Sequence, residues 1–391
     1  MRRSLLVLAL MATVAFLGWL LPRADRTRPA LPPEHDPAAP GASAELSRNP
    51  NTSLAPSARD RWRKSQGTDG SVSPSETDLS ALDPNRPTNP RLPWLDQLLG
   101  TNGPAPVSRE AVDRWLASGR TNAADLLALR QAGAGKEFLE LALRQFPDDP
   151  RVLLASTGMR DSPEVVRERM DRFRTAAPAN SLADYLSAWN ELAAGNREKA
   201  LEHLAAAGTK PGVDDYVAEA ARTTEELYRS EGRSEAEARA LGSSSALLPH
   251  LSHLKHLSND LAALQKEFVA AGDLSGAEHV ARMGLRLGDQ LTQGPGSMTL
   301  IGELVGIAVE ASLVRNLPQD TPYEFLGGDA ATYQADLKQR RADIRSVSGH
   351  FDTWIRQASE ADVISYFDVW ARHGERTALQ WVRDQAETEA P

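Results

Sequence analysis

The chain of 391 residues contains no cysteine. That absence excludes disulfides, iron–sulfur clusters, thiolate zinc sites, cysteine nucleophiles and a lipid-modified N-terminal cysteine. It is compatible with an oxidising compartment without requiring one. A basic excess is missing as well. Lys and Arg number 44 against 53 Asp and Glu, for a formal charge of −9. No basic stripe dominates the part expected to fold, so nucleic-acid binding is not expected. Common catalytic signatures are also lacking. There is no Gly-x-Ser-x-Gly, no His-Glu-x-x-His and no dinucleotide fingerprint. Gly133-Ala-Gly-Lys136 comes nearest to a phosphate loop. Arg130 stands where that loop needs its upstream glycine, no Ser or Thr follows the lysine, and the segment joins two expected helices. No catalytic residue and no cofactor is therefore assigned from sequence. An enzyme whose site only the fold assembles, in an α-helical C-terminal region, is kept as the alternative.

Long apolar runs are nearly absent too. The exception is Leu5–Leu21, uncharged and preceded by Arg2 and Arg3. Seventeen residues is short for a bilayer span and long for a signal-peptide core. Trp19 suits a membrane interface. The nearest cleavage signal, Thr13-Val14-Ala15, would leave an apolar stub. Residues 1–22 are accordingly read as a signal-anchor, with a cleaved signal peptide as the variant. This reading puts the protein at the cell membrane as a single-pass protein with its folded part extracytoplasmic (periplasmic), or secreted. Residues 23–106 hold 14 of the 25 prolines and few apolar side chains. Such a segment has little to offset its ordering entropy and is expected to be a disordered tether. Within it, Leu92–Leu99 carries Trp94 among leucines. It reads either as a cap packed on the first repeat or as a docking motif for a partner groove.

From residue 107 the pattern changes to paired amphipathic helices. Ser108 starts a helix carrying Val112, Trp115 and Leu116 on one side. Ala123–Leu129 and Lys136–Phe146 form a pair around Gly133-Ala134-Gly135. Asp161-Ser162-Pro163-Glu164 is a helix start, with a capping side chain and a first-turn proline, and Val166, Met170 and Phe173 mark its apolar face. Asn180–Ala194 and Arg197–Ala207 form a hairpin hinged at Gly195-Asn196. Asn259–Ala271 and Ser275–Leu287 form another, hinged at Gly272-Asp273. Pro147, Pro178 and Pro211 recur at 31 and 33 residues. A period of this size indicates stacked helical hairpins.

These residues resemble tetratricopeptide repeats over about residues 120–290. Counting from Gly195 places small residues Ala200 and Ala207 at the family's positions, with Pro211 one residue early. Counting from Gly272 places Ala277 and Gly284 there, with Leu261, Leu264 and Phe268 at the large positions. Counting back from Pro147 gives Ala142. Small residues belong where helices of neighbouring hairpins cross closely. Gln265 departs from the pattern, standing where the family prefers Gly. The first helix of the Gly195 hairpin, with Tyr185 and Trp189, fits only with a one-residue slip, and the hairpin around Asp161 has a stunted first helix. The basic residues with which the family clamps a peptide's C-terminal carboxylate are not evident. The resemblance implies an all-α helix-turn-helix solenoid over 107–290, with a concave groove and an unidentified protein or peptide partner.

The C-terminal region, 297–391, reads as α-helical. Leu291–Met298, with Gly294-Pro295-Gly296, is expected to be a loop. Thr299–Val314 is a mostly apolar, central helix carrying Glu303 and Glu310, seven residues apart and on one face. They read as a polar stripe on a buried helix rather than as paired catalytic acids. Tyr333 through Trp354 follows a near-heptad stripe, breaking near Gly349. Ser359-Glu-Ala-Asp362 caps a further helix, and Gly374-Glu375 turns into the last. His250, His253 and His256 are the one cluster that invites a metal. His250 and His253 would share a helix face. The leucine stripe around them places His250 on the buried face and His256 toward solvent, with no acid paired nearby. Packed histidines are the expectation and no metal site is assigned.

Overall fold

The computed structural model describes residues 92–98, 106–159, 161–246, 248–293 and 298–388. The expected signal-anchor and most of the expected tether lie outside the described residues, as does Gly294-Pro295-Gly296. Among the described residues no helix is long and apolar enough to cross a membrane.

The described chain is almost entirely helical. In order run α1 (Pro93–Leu98), α2 (Arg109–Ala117), α3 (Ala123–Gln131), α4 (Glu137–Gln145), α5 (Pro150–Ala155), α6 (Pro163–Ala176), α7 (Leu182–Ala193) and α8 (Arg197–Gly208). They continue with α9 (Val217–Glu231), α10 (Glu235–Ser244), α11 (Pro249–Ala270), α12 (Leu274–Gln293) and α13 (Leu300–Val314). After a two-residue hairpin of β1 (Pro322–Tyr323) and β2 (Gly328–Asp329) come α14 (Ala330–Gly349), α15 (Phe351–Trp354), α16 (Glu360–His373) and α17 (Glu375–Thr388). The β-hairpin was not expected from sequence.

Helix starts sit where capping chemistry puts them. Ser108, Asn122, Ser162, Ser234, Thr299 and Ser359 each accept a backbone N–H of the first turn. Asn122/Asp125 and Ser359/Asp362 form full capping boxes. Gly133, Gly195 and Gly272 take positive φ at the hairpin turns α3–α4, α7–α8 and α11–α12. The loop expected from Leu291 does not begin there: α12 runs on to Gln293, with Leu291 buried. Its last turns stay helical because they pack on α13. Gly288 faces Glu310 there, and Gly306 approaches the Gly288 carbonyl and Thr292.

The small residues picked out by the repeat spacing are at helix contacts. Ala142, Ala200 and Ala207 are fully buried, and Ala277 is nearly so. A Cβ on Gly284 would fall 2.0 Å from Leu313 Cδ1. Packing does not follow chain order throughout. Hairpin α9–α10 lies against α2 and α3, and α10 also meets α16, whereas α11 of the next hairpin packs on α7. The chain is redirected before α9, where Tyr216 takes a left-handed conformation, φ 56°. Asn180 holds that corner: its amide donates to the Asp214 carbonyl at 2.7 Å and its carbonyl oxygen accepts the Asp214 N–H at 3.1 Å.

Three large apolar cores result, beside a small fourth one in which Tyr323 of β1 packs with Ala281, Val314, Leu317 and Ala330. One joins α5–α8 to α11–α13, built on Phe173, Tyr185, Leu254 and Leu313. A second joins α2–α5 to α9 and α10. The third holds α13–α17 together through Leu337, Ile344, Phe351, Tyr366 and Leu379. Helix α1 bridges the last two: Leu92 and Leu95 enter the C-terminal core and Leu98 enters the core of the first hairpins. Leu92–Leu98 thus caps apolar surface of its own chain, though not of the first hairpin alone.

Candidate functional site

Helix α7 is the deepest of the repeat region, covered by α6, α8 and α11. Its Leu182, Tyr185, Leu186 and Ala188 fill the core. Yet Asp184, Ser187 and Glu191, at i, i+3 and i+7, set a polar line along one side of it. All three are buried, at 2%, 6% and 3% exposure. Buried polar groups persist only with partners, and these have them. Lys210 Nζ lies 2.5 Å from Asp184 Oδ2. The Ser187 hydroxyl donates to the Ala183 carbonyl at 2.8 Å. Glu191 accepts from Arg167 Nε at 2.8 Å and from Asn196 Nδ2 at 2.6 Å.

The outer half of this line is the floor of a cleft of about 180 Å³. Ser187, Asn190 and Glu191 form the floor, Arg167 and Asp171 of α6 one wall, and Lys199 and His203 of α8 the other. The cleft therefore opens between the second helices of two successive hairpins. Arg174 of α6 pairs with Asp171 and points Nη1 at His203 Nδ1, 3.1 Å away. A guanidinium only donates, so Nδ1 accepts and the neutral ring carries its proton on Nε2. Burial holds the His203 pKa below its ordinary value, and Arg174 adds to that. For Glu191, burial pushes upward, but hydrogen bonds from Asn196 and Arg167 outweigh it and the pKa is lowered. None of these residues stands out in the sequence as a site. The one readable signal is the Asp184/Ser187/Glu191 spacing inside an otherwise apolar helix.

The histidine pair sits elsewhere. His250, on α11, is 1% exposed, and its Nε2 lies 3.6 Å from Asp215 Oδ2. The sequence reading of no acid nearby is corrected here, because the turn before α9 brings Asp215 across from 35 residues away. The His253 ring stacks on Trp189 with centroids 4.1 Å apart, and Nε2 lies 3.2 Å from the Thr157 carbonyl. The two rings engage different neighbours, and His256 is exposed. Among the described residues no group of three His, Asp or Glu is placed to hold a metal ion.

Glu303 and Glu310 share the buried helix α13 as expected, and each has an arginine. Glu303 pairs with Arg376 of α17. Glu310 accepts from Tyr333 Oη at 2.9 Å and Arg340 Nη1 at 3.1 Å, both on α14. Burial raises both carboxyl pKa values against the pull of the arginines. At the neighbouring helix junction, the Leu300 N–H donates to Glu375 Oε2 at 2.7 Å and the Glu375 N–H to the Met298 carbonyl at 3.0 Å. Burial pushes Glu375 up to about 7. Gly133-Ala134-Gly135-Lys136 joins α3 to α4, two helices, and Lys136 is the N-cap residue of α4.

No family model, no curated protein and no solved structure matches this chain.

Proposed function

We propose that the protein is a helical-repeat scaffold of tetratricopeptide-like build that binds a protein partner. The observation that carries this reading is the polar cleft over α7. It is open to solvent, lies between successive hairpins and has two of its charged side chains, Arg167 and Glu191, paired with each other and a third, Asp171, held by Arg174. Pre-set polar groups on rigid helices recognise a partner without first having to be ordered. The apolar Leu5–Leu21 and the proline-rich residues behind it support anchoring of this scaffold to a membrane, with the folded part outside the cytoplasm. The alternative, an enzyme centred on the C-terminal helices, has less behind it. Glu303 and Glu310, its natural acids, are each held by an arginine.

The reading is tested by placing a photo-crosslinking residue at Glu202, exposed on α8 next to His203, in the full-length chain and illuminating intact cells. A discrete crosslinked protein is expected from that position and not from Lys338, on α14. Equal, diffuse crosslinking from both positions would count against a partner site at the cleft.

A further inference from the structure

We infer that the cleft between α6 and α8 takes the carboxylate side chain of an Asp or Glu on the partner polypeptide. This deepens the scaffold reading and rests on it. The first reason is charge. Both acids of the cleft are already neutralised, Glu191 by Arg167 and Asp171 by Arg174. Lys199 is exposed and makes no ion pair among the described residues, so one positive charge is left over. The second reason is the supply of donors. With Nδ1 occupied by Arg174, His203 presents Nε2–H. The Asn190 side chain, 8% exposed on the cleft floor, makes no hydrogen bond among the described residues and has an N–H₂ to offer. The Ser187 hydroxyl proton is already spent on the Ala183 carbonyl. An ammonium and an imidazole N–H from one wall and an amide N–H₂ from the floor of a small space match the acceptor-only chemistry of a carboxylate.

Competing ligand chemistries fit worse. A cation would meet two carboxylates that already have arginines and would face Lys199. A phosphate would bring a second negative charge beside Glu191 and Asp171 with one spare cation to meet it. A cofactor needs more room: about 180 Å³ is below the roughly 300–1,000 Å³ of drug-sized pockets and suits one side chain.

The test uses the full-length protein and two short peptides, blocked at both ends and carrying a neutral dye. One alternates Glu with Ala and the other Gln with Ala. Fluorescence anisotropy should show saturable binding of the Glu peptide, at least about tenfold tighter than the Gln peptide. Lys199→Glu should abolish that preference. Lys199 is exposed, so the melting temperature should not move, and Lys338→Glu on α14 should leave binding intact. Indistinguishable binding of the two peptides, or a preference that survives Lys199→Glu, overturns the inference. So does displacement of the peptide by free glutamate at equal concentration, which would mean a small metabolite is the occupant. Crosslinking from Glu202 to a partner protein would still stand in those cases, so failure here is separable from failure of the scaffold reading.

Discussion

Single side chains decide what the α7 cleft can do, and Glu191 is the clearest case. It is 3% exposed and holds Arg167 from α6 and Asn196 from the turn before α8. Replacing it with Ala removes both hydrogen bonds, and because the Arg167 side chain is partly exposed and can turn to water, the cost in urea unfolding at pH 7 should be about 0.5–1.5 kcal/mol. The pH dependence follows from the lowered pKa. The group's contribution is fully present above its ordinary value of 4.5 and is lost as pH falls through the folded-state value. The gap between parent and variant should therefore close in acid. A gap that stays constant down to pH 3 would mean that the ion pair contributes nothing. Residues of this kind were hard to read from sequence. Arg167, Lys199 and His203 are ordinary helix-surface residues until α6 and α8 are set on either side of α7. His250 shows the reverse: its burial followed from the leucine stripe, but Asp215 beside it did not, since a turn 35 residues away supplies it.

Helices were the most legible level, because each start and stop has local chemistry. Caps at Ser162 and Ser359, turns at Gly195 and Gly272, and the break after Gly349 all fall where those residues stand. What could not be read was how far α12 runs, since packing on α13 decides its last turns. Close crossings give the sharpest test at this scale. Ala200→Leu and Ala277→Leu should each destabilise by about 1–3 kcal/mol, because both sites are filled. Gly242→Ala should cost at least as much. Its new Cβ would fall 2.5 Å from the Ala221 carbonyl oxygen and 2.9 Å from the Glu225 nitrogen, so α9 and α10 must move apart. Thermal melts of the three variants that match the parent would refute the packing described. The α13–α17 junction carries a pH signature of its own. Glu375 is raised to about 7 from an ordinary 4.5, so the folded chain binds the extra proton between those values. Its contribution to stability is full below about pH 4.5 and is lost as pH rises through 7. Glu375→Gln should flatten that decline and be the more stable protein at pH 8, by on the order of 1 kcal/mol. A parent whose stability does not fall between pH 5 and 8 would contradict this.

At the scale of the whole molecule, fold class was legible and the packing order was not. Helical periodicity and turn glycines are local, and they were enough to indicate an all-α chain. The return of α9–α10 onto α2 and α3 depends on the corner at Asn180, Asp214 and Tyr216, whose hydrogen bonds span more than thirty residues. Spacing alone suggested a hairpin stack in chain order, because a repeat period carries no record of such a corner. Helix α1 adds a second long-range tie, with Leu92 and Leu95 in the C-terminal core and Leu98 in that of the first hairpins.

The central claim is that this assembly presents the α7 cleft to a protein partner. Affinity capture of the full-length chain from detergent-solubilised membranes, run in parallel with Lys199→Glu and with Lys338→Glu, tests it most directly. The account predicts that the parent and Lys338→Glu recover the same partner and that Lys199→Glu loses it while keeping the parent's melting temperature. Recovery of that partner in full by Lys199→Glu would contradict it.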